Sequence, residues 1–325
     1  ERIAFAGVGK REDEIEYALQ SNIRMFNVES IQELQSISRI ALRLGVTARI
    51  ALRINPNIDA ESHPYISTGL TEHKFGIESG KALEAFQFAA TLPSVEVAGL
   101  HVHIGSQITR VEPYRLAAEF VLGMVRSLRD LGIVLQHLDL GGGFGVRYVN
   151  VLQHESLPKE SDENVPAPRE YVDAMLPSLR ESGCSVWLEP GRALVADSGI
   201  LLTRVLYLKE NGKKKFVIVD AGMNDLLRPS LYNAYHQIVP VSIETYDRQI
   251  ADVVGPVCET GDFLARDRQL PNVRPGDLLA VMTTGAYGFV NASNYNGRLK
   301  PAEVLVTDDK VRVVRPRQTP EQLLT

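Results

Sequence analysis

Residues that could do chemistry are concentrated in short segments that follow apolar, strand-like runs. HVHIGS places His101 and His103 two residues apart, so both lie on one face if this run is a strand. EPGR, residues 189–192, follows another such run and carries a carboxylate and a guanidinium across a tight turn. Imidazole and carboxyl groups at strand ends can transfer protons or hold a charged ligand, which makes these segments candidates for an active site.

Each of these residues also has a structural interpretation. An inward-facing histidine is often a hydrogen-bonded core residue, and Glu189 could form only an ion pair with an inward-facing Arg53. Zinc is a further alternative because His101 and His103 share a face. However, neither cysteine belongs to a CxxC pair and no carboxylate follows at ligand spacing, so we expect no metal.

A glycine run, DLGGGFG at residues 139–145, also follows a strand-like run. Its glycines, including Gly142 and Gly143, could bring backbone N–H groups close to a phosphate or could form only a tight turn. It does not match the dinucleotide fingerprint, because Val146 stands where the third glycine belongs. GVGK at residues 7–10 does not match a Walker loop, and we predict that Lys10 is an exposed residue at a helix start.

The second half of the chain holds further candidates. PVCETGD places Cys258 beside Glu259 and a glycine turn, a poor setting for a buried thiol. Tyr287 stands between glycines in TTGAYGF, where a phenol could project from the chain. Arg228 and Tyr232 lie four residues apart and share a face if their segment is helical. We predict that Cys184 is structural.

The pattern of elements indicates how these residues are positioned. Strand-like runs alternate with helical segments through residue 197, as in βα units around a parallel sheet. A polar loop at residues 150–168 interrupts this half. β-branched runs separated by turns then predict a mostly antiparallel β domain over residues 198–325. The strands are predicted at residues 3–7, 25–30, 49–55, 97–105, 137–143 and 186–191. A closed barrel needs eight βα units, so we expect two more upstream of Glu1.

Composition narrows the class of protein. The 325 residues carry a net charge of −5, which argues against nucleic acid or an anionic membrane as the main partner. No apolar run approaches the ~18 residues of a membrane span. With only two cysteines a disulfide framework is excluded, and we expect a cytoplasmic protein.

Six segments, in this order and spacing, resemble the diaminopimelate decarboxylases: HVHIGS, DLGGGFG, EPGR, VDAGMNDLLRPSLY, GPVCETGD and MTTGAYGF. The resemblance covers essentially the whole chain. It implies a fold-III enzyme that depends on pyridoxal 5'-phosphate, with an alanine-racemase-like (β/α)8 barrel followed by a β domain. The implied reaction is decarboxylation of meso-2,6-diaminopimelate to L-lysine and CO₂, the last step of lysine biosynthesis.

The resemblance also implies a role for each matching residue. His103 stacks on the pyridine ring and Glu189 pairs with its nitrogen, while Cys258 is the expected proton donor. In the implied homodimer, Cys258 and Glu259 reach the active site of the neighbouring subunit. The phosphate is approached by Ser106, Gly142, Gly143, Glu189, Pro190, Gly191 and Arg192, and Tyr287 touches both cofactor and substrate. The substrate is held by Arg192, Arg228, Tyr232, Glu259 and Tyr287.

One feature of the family has no counterpart in this sequence. The family attaches its cofactor to a lysine in a YAxKAN-like motif on the first barrel strand, whereas Lys10, Lys74 and Lys81 lie in other contexts. We expect that lysine upstream of Glu1. A related decarboxylase of ornithine, arginine, lysine or carboxynorspermidine stays open, as does a catalytically inactive regulatory homologue. A racemase is disfavoured, because it would use a tyrosine base rather than a Cys–Glu pair.

Overall fold

The computed structural model of the chain describes residues 2–59, 74–153, 157, 164–242 and 247–324. Within the predicted polar loop, residues 154–156 and 158–163 therefore lie outside the described residues. The chain divides into two compact units. Unit 1 is Glu1–Gly145 with Val165–Gly191, and unit 2 is Val146–Asn164 with Arg192–Thr325. Our domain boundary between residues 197 and 198 stays a prediction about folding domains.

A parallel sheet forms the centre of unit 1, in the order β1-β2-β3-β5-β6-β7, with β4 paired to β3. Its strands are β1 (Ala4–Phe5), β2 (Met25–Val28), β3 (Ala48–Asn55), β4 (Ile77–Glu78), β5 (Val95–His101), β6 (His137–Asp139) and β7 (Ser185–Trp187). All six predicted strands occur. β6 and β7 are shorter than predicted because GGGFG and LEPG leave the sheet, and the two-residue β4 is too short to show a periodic pattern.

Helices follow the strands of unit 1 and bury their apolar faces. α2 shows why the sequence folds this way: the Ser30 hydroxyl caps its first turn by accepting from the N–H of Glu33, and Gly45 ends it at φ 68°. Its buried side chains recur at helical spacing, as in Leu34 and Ile37. The helices are α1 (Glu12–Gln20), α2 (Ile31–Leu44), α3 (Ala82–Thr91), α4 (Glu112–Asp130) and α5 (Pro168–Ser182), with α6 (Gly191–Val195) crossing into unit 2.

Unit 2 contains a six-stranded sheet in the order β10-β13-β8-β9-β11-β12 and a separate β14–β15 hairpin. All its pairings are antiparallel except β9 with β11. The strands are β8 (Leu201–Asn211), β9 (Lys214–Val219), β10 (Ile238–Pro240), β11 (Arg248–Val254), β12 (Phe263–Pro271), β13 (Leu278–Val281), β14 (Glu303–Thr307) and β15 (Lys310–Arg315). β12 was not predicted from the sequence, because the charged run at residues 266–268 interrupts its apolar pattern.

Short helical elements complete unit 2, and its core consists of aliphatic side chains such as Val217, Val253 and Leu279. α7 (Arg228–Tyr232) shows that the segment with Arg228 and Tyr232 is helical, and α8 (Pro320–Leu324) lies near the end of the chain. Single 3₁₀ turns occupy Ser79–Lys81 in unit 1 and Ala196–Ser198, Phe289–Asn291 and Tyr295–Gly297 in unit 2. Among the described helices, none combines the length and apolar character that a membrane crossing needs.

Candidate active site

Three titratable side chains meet at the carboxyl end of the parallel sheet in unit 1. His101 ends β5 and is paired in register with Asp139, the last residue of β6. Glu189 follows two residues after β7, whose Trp187 pairs with Asp139. One ligand atom from each of His101, Asp139 and Glu189 lies within 4.8 Å of the other two. Parallel strands thus bring together side chains that are far apart in sequence, at the edge where such folds carry active sites.

The two carboxyl groups of this cluster share a poorly solvated environment. Burial raises the pKa of Asp139, and burial together with the charge of Asp139 raises the pKa of Glu189 to about 7. Asn27 donates from Nδ2 to Asp139 Oδ2 at 2.8 Å and to Glu189 Oε1 at 3.4 Å. Because two adjacent carboxylates repel each other, the pair retains one proton to a higher pH than an isolated carboxyl group would.

His101 has an unusual environment within this cluster. It is 1% exposed, and among the described residues neither of its ring nitrogens has a hydrogen-bond partner. Burial, the charge of Arg53 and then that of His103 lower its pKa well below the ordinary value, so the ring is neutral. No carboxylate follows His101 at ligand spacing in the sequence, but Asp139 and Glu189 reach His101 from other strands.

A separate ion pair supports the cluster. Arg53 Nη1 lies 2.6 Å from Glu29 Oε1, and both side chains are largely buried. The structural interpretation in which Arg53 pairs with Glu189 is therefore wrong, because Glu29 at the end of β2 is the ion-pair partner. Arg53 still lowers the pKa of Asp139 and Glu189 through its charge.

Lys10 was predicted to be exposed, and this was wrong. Its side chain is 1% exposed, and Nζ donates to the carbonyl oxygens of Gly7 and Asn27 and to Glu33 Oε1 at 2.7–2.8 Å. An ammonium group is buried at little cost when its three protons all have acceptors. Lys10 is thus a structural cation that ties the segment after β1 to β2 and α2.

The glycine run packs too closely for side chains. A Cβ on Gly142 would lie 2.0 Å from the carbonyl oxygen of Glu189, and one on Gly143 would lie 2.2 Å from that of Gly105. The N–H of Gly142 donates to Nδ1 of His103 at 3.1 Å. Burial, with the charge of Arg53, lowers the pKa of His103 to about 4, so the imidazole is neutral and its proton is on Nε2.

Gly142→Ala tests this close approach. Because the added Cβ would overlap backbone that cannot rotate away, we expect the free energy of unfolding to fall by at least about 2 kcal/mol. Gly123→Ala is the control: Gly123 is inside α4 with no neighbouring atom in reach, and the same change there should stabilise the protein by about 1 kcal/mol. Denaturant unfolding measures both. Equal effects of the two substitutions would contradict the close approach.

In unit 2, two predicted substrate-binding arginines contact the same tyrosine. Arg192 donates from Nη1 to the hydroxyl of Tyr148 at 2.6 Å, and Arg228 Cζ lies 4.6 Å from the centre of the same ring. Arg228 Nη1 also lies 2.8 Å from Nε2 of His236. Arg192 and Arg228 are both buried. Tyr232 is at the other end of α7.

Tyr287 is part of the same group of side chains. Arg192 Cζ lies 4.8 Å from the centre of the Tyr287 ring, a cation–π distance. Tyr287 has φ 61° although it is not glycine, and it remains 42% exposed. A left-handed, exposed aromatic residue between glycines is held there by its surroundings and is available to a ligand.

The segment that carries Cys258 and Glu259 is an exposed turn between β11 and β12. Cys258 is an exposed free thiol, and Glu259 accepts from the hydroxyl of Tyr295 at 2.6 Å. Asp262 stabilises this turn: its carboxylate is buried and accepts hydrogen bonds from the N–H groups of Met223 and Val257, both at 2.6 Å. One carboxylate thus fixes the backbone on the amino side of Cys258.

Asp262→Asn should loosen this turn. The amide has only one acceptor oxygen, so one of the two N–H groups would face an NH₂ group, and we expect a loss of about 2 kcal/mol in the free energy of unfolding. Asp309→Asn, at an exposed position between β14 and β15, is the matched control and should change little. Urea unfolding of both variants checks the expectation. A wild-type midpoint for Asp262→Asn would contradict it.

Several residues that build these sites were not predicted. Asn27 and Asp139 lie on inward-facing positions of β2 and β6, and the alternation rule that selected His101 would have found them. Glu29 directly follows β2 and could have been found in the same way. No sequence signal pointed to Tyr148 and His236, because their importance comes from contacts that are distant in sequence.

Comparison with known proteins agrees with this description. Residues 1–196 match the family described as pyridoxal-dependent decarboxylase, pyridoxal binding domain. The diaminopimelate decarboxylase of Pseudomonas aeruginosa is 48% identical over 99% of this chain and 74% of its own length. That of Aquifex aeolicus is 46% identical over 98% of this chain and 73% of its own. The crystal structure of Helicobacter pylori diaminopimelate decarboxylase complexed with L-lysine superposes with TM-score 0.90 at 47% identity, covering 99% of this chain and 77% of that one.

The matched domain first places the protein among the pyridoxal-dependent decarboxylases, which are carboxy-lyases. The near full-length similarity narrows this further: the chain belongs to the diaminopimelate decarboxylase family. The predicted fold class, a βα barrel half followed by a mostly antiparallel β domain, is confirmed.

The residues of unit 1 fit the cofactor of this family. Pyridoxal phosphate needs a partner for its pyridine nitrogen, a face for its ring and donors for its phosphate. Glu189 offers a carboxyl group whose proton is shared with Asp139, and His103 offers a neutral ring. The glycine run leaves no room for side chains beside them. The two unpartnered nitrogens of His101 also indicate a polar environment that the protein alone does not complete.

Proposed function

We propose that the protein catalyses the pyridoxal-phosphate-dependent decarboxylation of meso-2,6-diaminopimelate to L-lysine and CO₂, the last step of lysine biosynthesis. The observation that carries the proposal is the carboxyl pair of Glu189 and Asp139 beside the glycine run and the neutral His103. The similarity to diaminopimelate decarboxylases over nearly the whole chain supports the choice of substrate.

Unit 1 supplies the groups that bind the cofactor. Glu189 pairs with the pyridine nitrogen, and its raised pKa reflects a site in which a positive partner would be favourable. His103 would lie against the pyridine ring of the cofactor. The hydrogen bond from the N–H of Gly142 to His103 Nδ1 fixes the orientation of the imidazole ring. Ser106, Gly143 and the turn from Glu189 through Pro190 and Gly191 hold the phosphate, and Arg192, where the chain enters unit 2, directly follows that turn. Gly142 is already bonded to His103, so its own donation to the phosphate requires an exchange of that bond.

Unit 2 supplies the groups that act on the substrate. Arg192, Arg228 and Tyr232 bind carboxylate, and Glu259 binds the distal ammonium group. Tyr287 contacts both cofactor and substrate. The bound cofactor supplies the electron sink that lets the carboxylate leave as CO₂. Cys258 then delivers a proton from Sγ to the carbon that lost CO₂.

A homodimer fits the surface of unit 2. The β14–β15 hairpin exposes six large aliphatic side chains: Val304, Leu305, Val306, Val311, Val313 and Val314. An isolated two-stranded hairpin is marginally stable in water, which favours a partner surface against it. Cys258 and Glu259 act in the active site of the neighbouring subunit. Both cysteines are free thiols, which supports a cytoplasmic location.

Complementation between inactive variants tests the shared site. Mixing Cys258→Ala with Glu189→Gln should restore about a quarter of wild-type activity, because half the dimers are mixed and each mixed dimer has one intact site. Each variant mixed with itself is the control and should stay inactive. Failure of the mixture to regain activity, with subunit exchange verified by mass, would argue against sites shared across the interface.

Substrate choice is tested by measuring CO₂ release from meso-2,6-diaminopimelate, L-ornithine and L-lysine. We expect turnover of meso-2,6-diaminopimelate alone, since the buried cation Arg228 suits a substrate whose far end carries a carboxylate. Turnover of ornithine alone would favour a related decarboxylase. Absence of turnover with all three, together with no borohydride-reducible pyridoxal phosphate adduct by mass, would favour the inactive regulatory homologue.

A further inference from the structure

Arg228 is a buried cation of unit 2. It is 5% exposed, and among the described residues it forms no ion pair with a carboxylate. Its contacts are to neutral groups: Nη1 is 2.8 Å from Nε2 of His236, and the guanidinium lies over the ring of Tyr148. Burial, and to a smaller degree the charge of nearby Arg192, lowers the pKa of Arg228. A buried cation in this setting is stabilised when an anion binds to it.

His236 is bonded at both ring nitrogens. Nδ1 lies 2.8 Å from the carbonyl oxygen of Met282, which can only accept, so the proton of the neutral ring is on Nδ1. Nε2 therefore presents a lone pair to Arg228. The ring is fully buried and packs edge-on against Tyr148, with centroids 5.0 Å apart. Burial, with the charges of Arg228, Arg268 and Arg192, lowers the pKa of His236 to about 3, which keeps the ring neutral.

Tyr148 connects the two arginines. Its hydroxyl accepts from Arg192 Nη1 at 2.6 Å. The guanidinium of Arg228 lies over its ring, and the same ring makes a T-shaped contact with His236. The phenol thus contacts Arg192 through its hydroxyl and Arg228 through its ring, and the contact with Arg228 does not neutralise the charge of that guanidinium. The Tyr148–His236 pair determines where both guanidinium groups point.

We propose that His236 and Tyr148 are positioning residues that orient Arg228 and Arg192 for a carboxylate of the substrate. A protein carboxylate in place of His236 would compete with the ligand for the Arg228 guanidinium, whereas a neutral acceptor fixes its direction and leaves its charge available. The inference rests on the proposed function in one respect, namely that Arg228 binds the carboxylate that the product retains.

Two ligands that differ only in that carboxylate provide the test. L-lysine carries it, and 1,5-diaminopentane is the same molecule without it. A histidine that only fills the core would, when replaced, weaken both ligands alike. A histidine that orients Arg228 affects L-lysine alone, so the ratio of the two affinities reports the positioning role. Inhibition of the holoenzyme by each ligand gives the two constants.

His236→Asn and His236→Gln separate the two bonds of the ring. Asn places its amide near the position of Nδ1 and keeps a donor for Met282, but it does not reach Arg228. Gln places its amide near Nε2 and can still accept from Arg228. We expect His236→Asn to weaken the binding of L-lysine about 10-fold to 100-fold. KM for meso-2,6-diaminopimelate should rise by a similar factor, with a smaller change in kcat. His236→Gln should recover most of this, and diaminopentane inhibition should stay at the wild-type value.

His137→Asn is the control, because His137 also contacts an arginine, Arg24, at 3.0 Å but belongs to unit 1. The ratio of its affinities for L-lysine and 1,5-diaminopentane should equal that of the wild type. A wild-type ratio in His236→Asn would overturn the inference; should that variant not fold, a wild-type ratio in Tyr148→Phe would do so. A wild-type enzyme that binds both ligands equally would instead overturn the proposed function as well.

Discussion

Replacing Cys258 with alanine should reduce turnover of meso-2,6-diaminopimelate by about 10²-fold to 10⁴-fold while pyridoxal phosphate remains bound. Loss of a positioned proton donor slows protonation of the carbon that has lost CO₂, but Cys258 belongs to an exposed turn of unit 2 and not to the residues proposed to bind the cofactor. Steady-state CO₂ release and the absorbance of the bound cofactor measure the two effects separately.

Cys184→Ala is the matched control for this prediction. The Cys184 thiol donates to the carbonyl oxygen of Leu135 in unit 1, and burial raises its pKa, as expected for a structural thiol. Its replacement should leave turnover within about twofold of wild type, since a neutral thiol bond contributes little. In D₂O, the wild type should place deuterium in one configuration at the decarboxylated carbon, and Cys258→Ala should lose that selectivity. Unchanged turnover and selectivity in Cys258→Ala would remove the thiol from the reaction.

Replacing Glu189 with glutamine should lower turnover by about 10²-fold or more, because a neutral amide cannot favour a protonated pyridine nitrogen as a carboxylate does. Glu181→Gln is the control, since Glu181 is an exposed residue of α5 paired with Arg126. CO₂ release measures both variants. Full activity of Glu189→Gln would exclude Glu189 from pairing with the cofactor.

The same substitution should change how stability depends on pH. In the absence of pyridoxal phosphate, the pKa of Glu189 is raised from 4.5 to about 7, so the folded state binds the proton more tightly than the unfolded state. Protonated Glu189 therefore contributes to the free energy of unfolding below pH 4.5, and this contribution is lost as the pH rises to 7. Urea unfolding between pH 4.5 and 8 should show this decline in the wild type and a flatter profile in Glu189→Gln. Identical profiles would contradict the raised pKa.

Strand periodicity predicted much of unit 1, because each strand is short and one face must be apolar. It placed His101 and Arg53 on the inner face, and both are buried there. It could not show that Arg53 pairs with Glu29 rather than Glu189, since both carboxylates follow strands and only the tertiary distances decide between them. The exposed prediction for Lys10 failed for a similar reason: its three acceptors come from three separate segments.

Unit 2 was harder to predict in detail. β12 was missed because Arg268 lies among charged residues, yet its side chain is buried and donates to the carbonyl oxygen of His236. Tyr148 and His236 carry no motif. Their roles depend on sharing Arg228, a contact that spans 80 residues in one direction and eight in the other, and no local pattern encodes such a contact.

The burial of Lys10 has a consequence for chemical labelling. An amine-reactive reagent needs an accessible amine, and the Lys10 side chain is 1% exposed while its three acceptors hold it. Lys81, with a side chain that is 73% exposed, should acylate much faster than Lys10. The labelling rate of Lys10 relative to that of Lys81 therefore reports how often the segment between β1 and α1 detaches from the rest of unit 1.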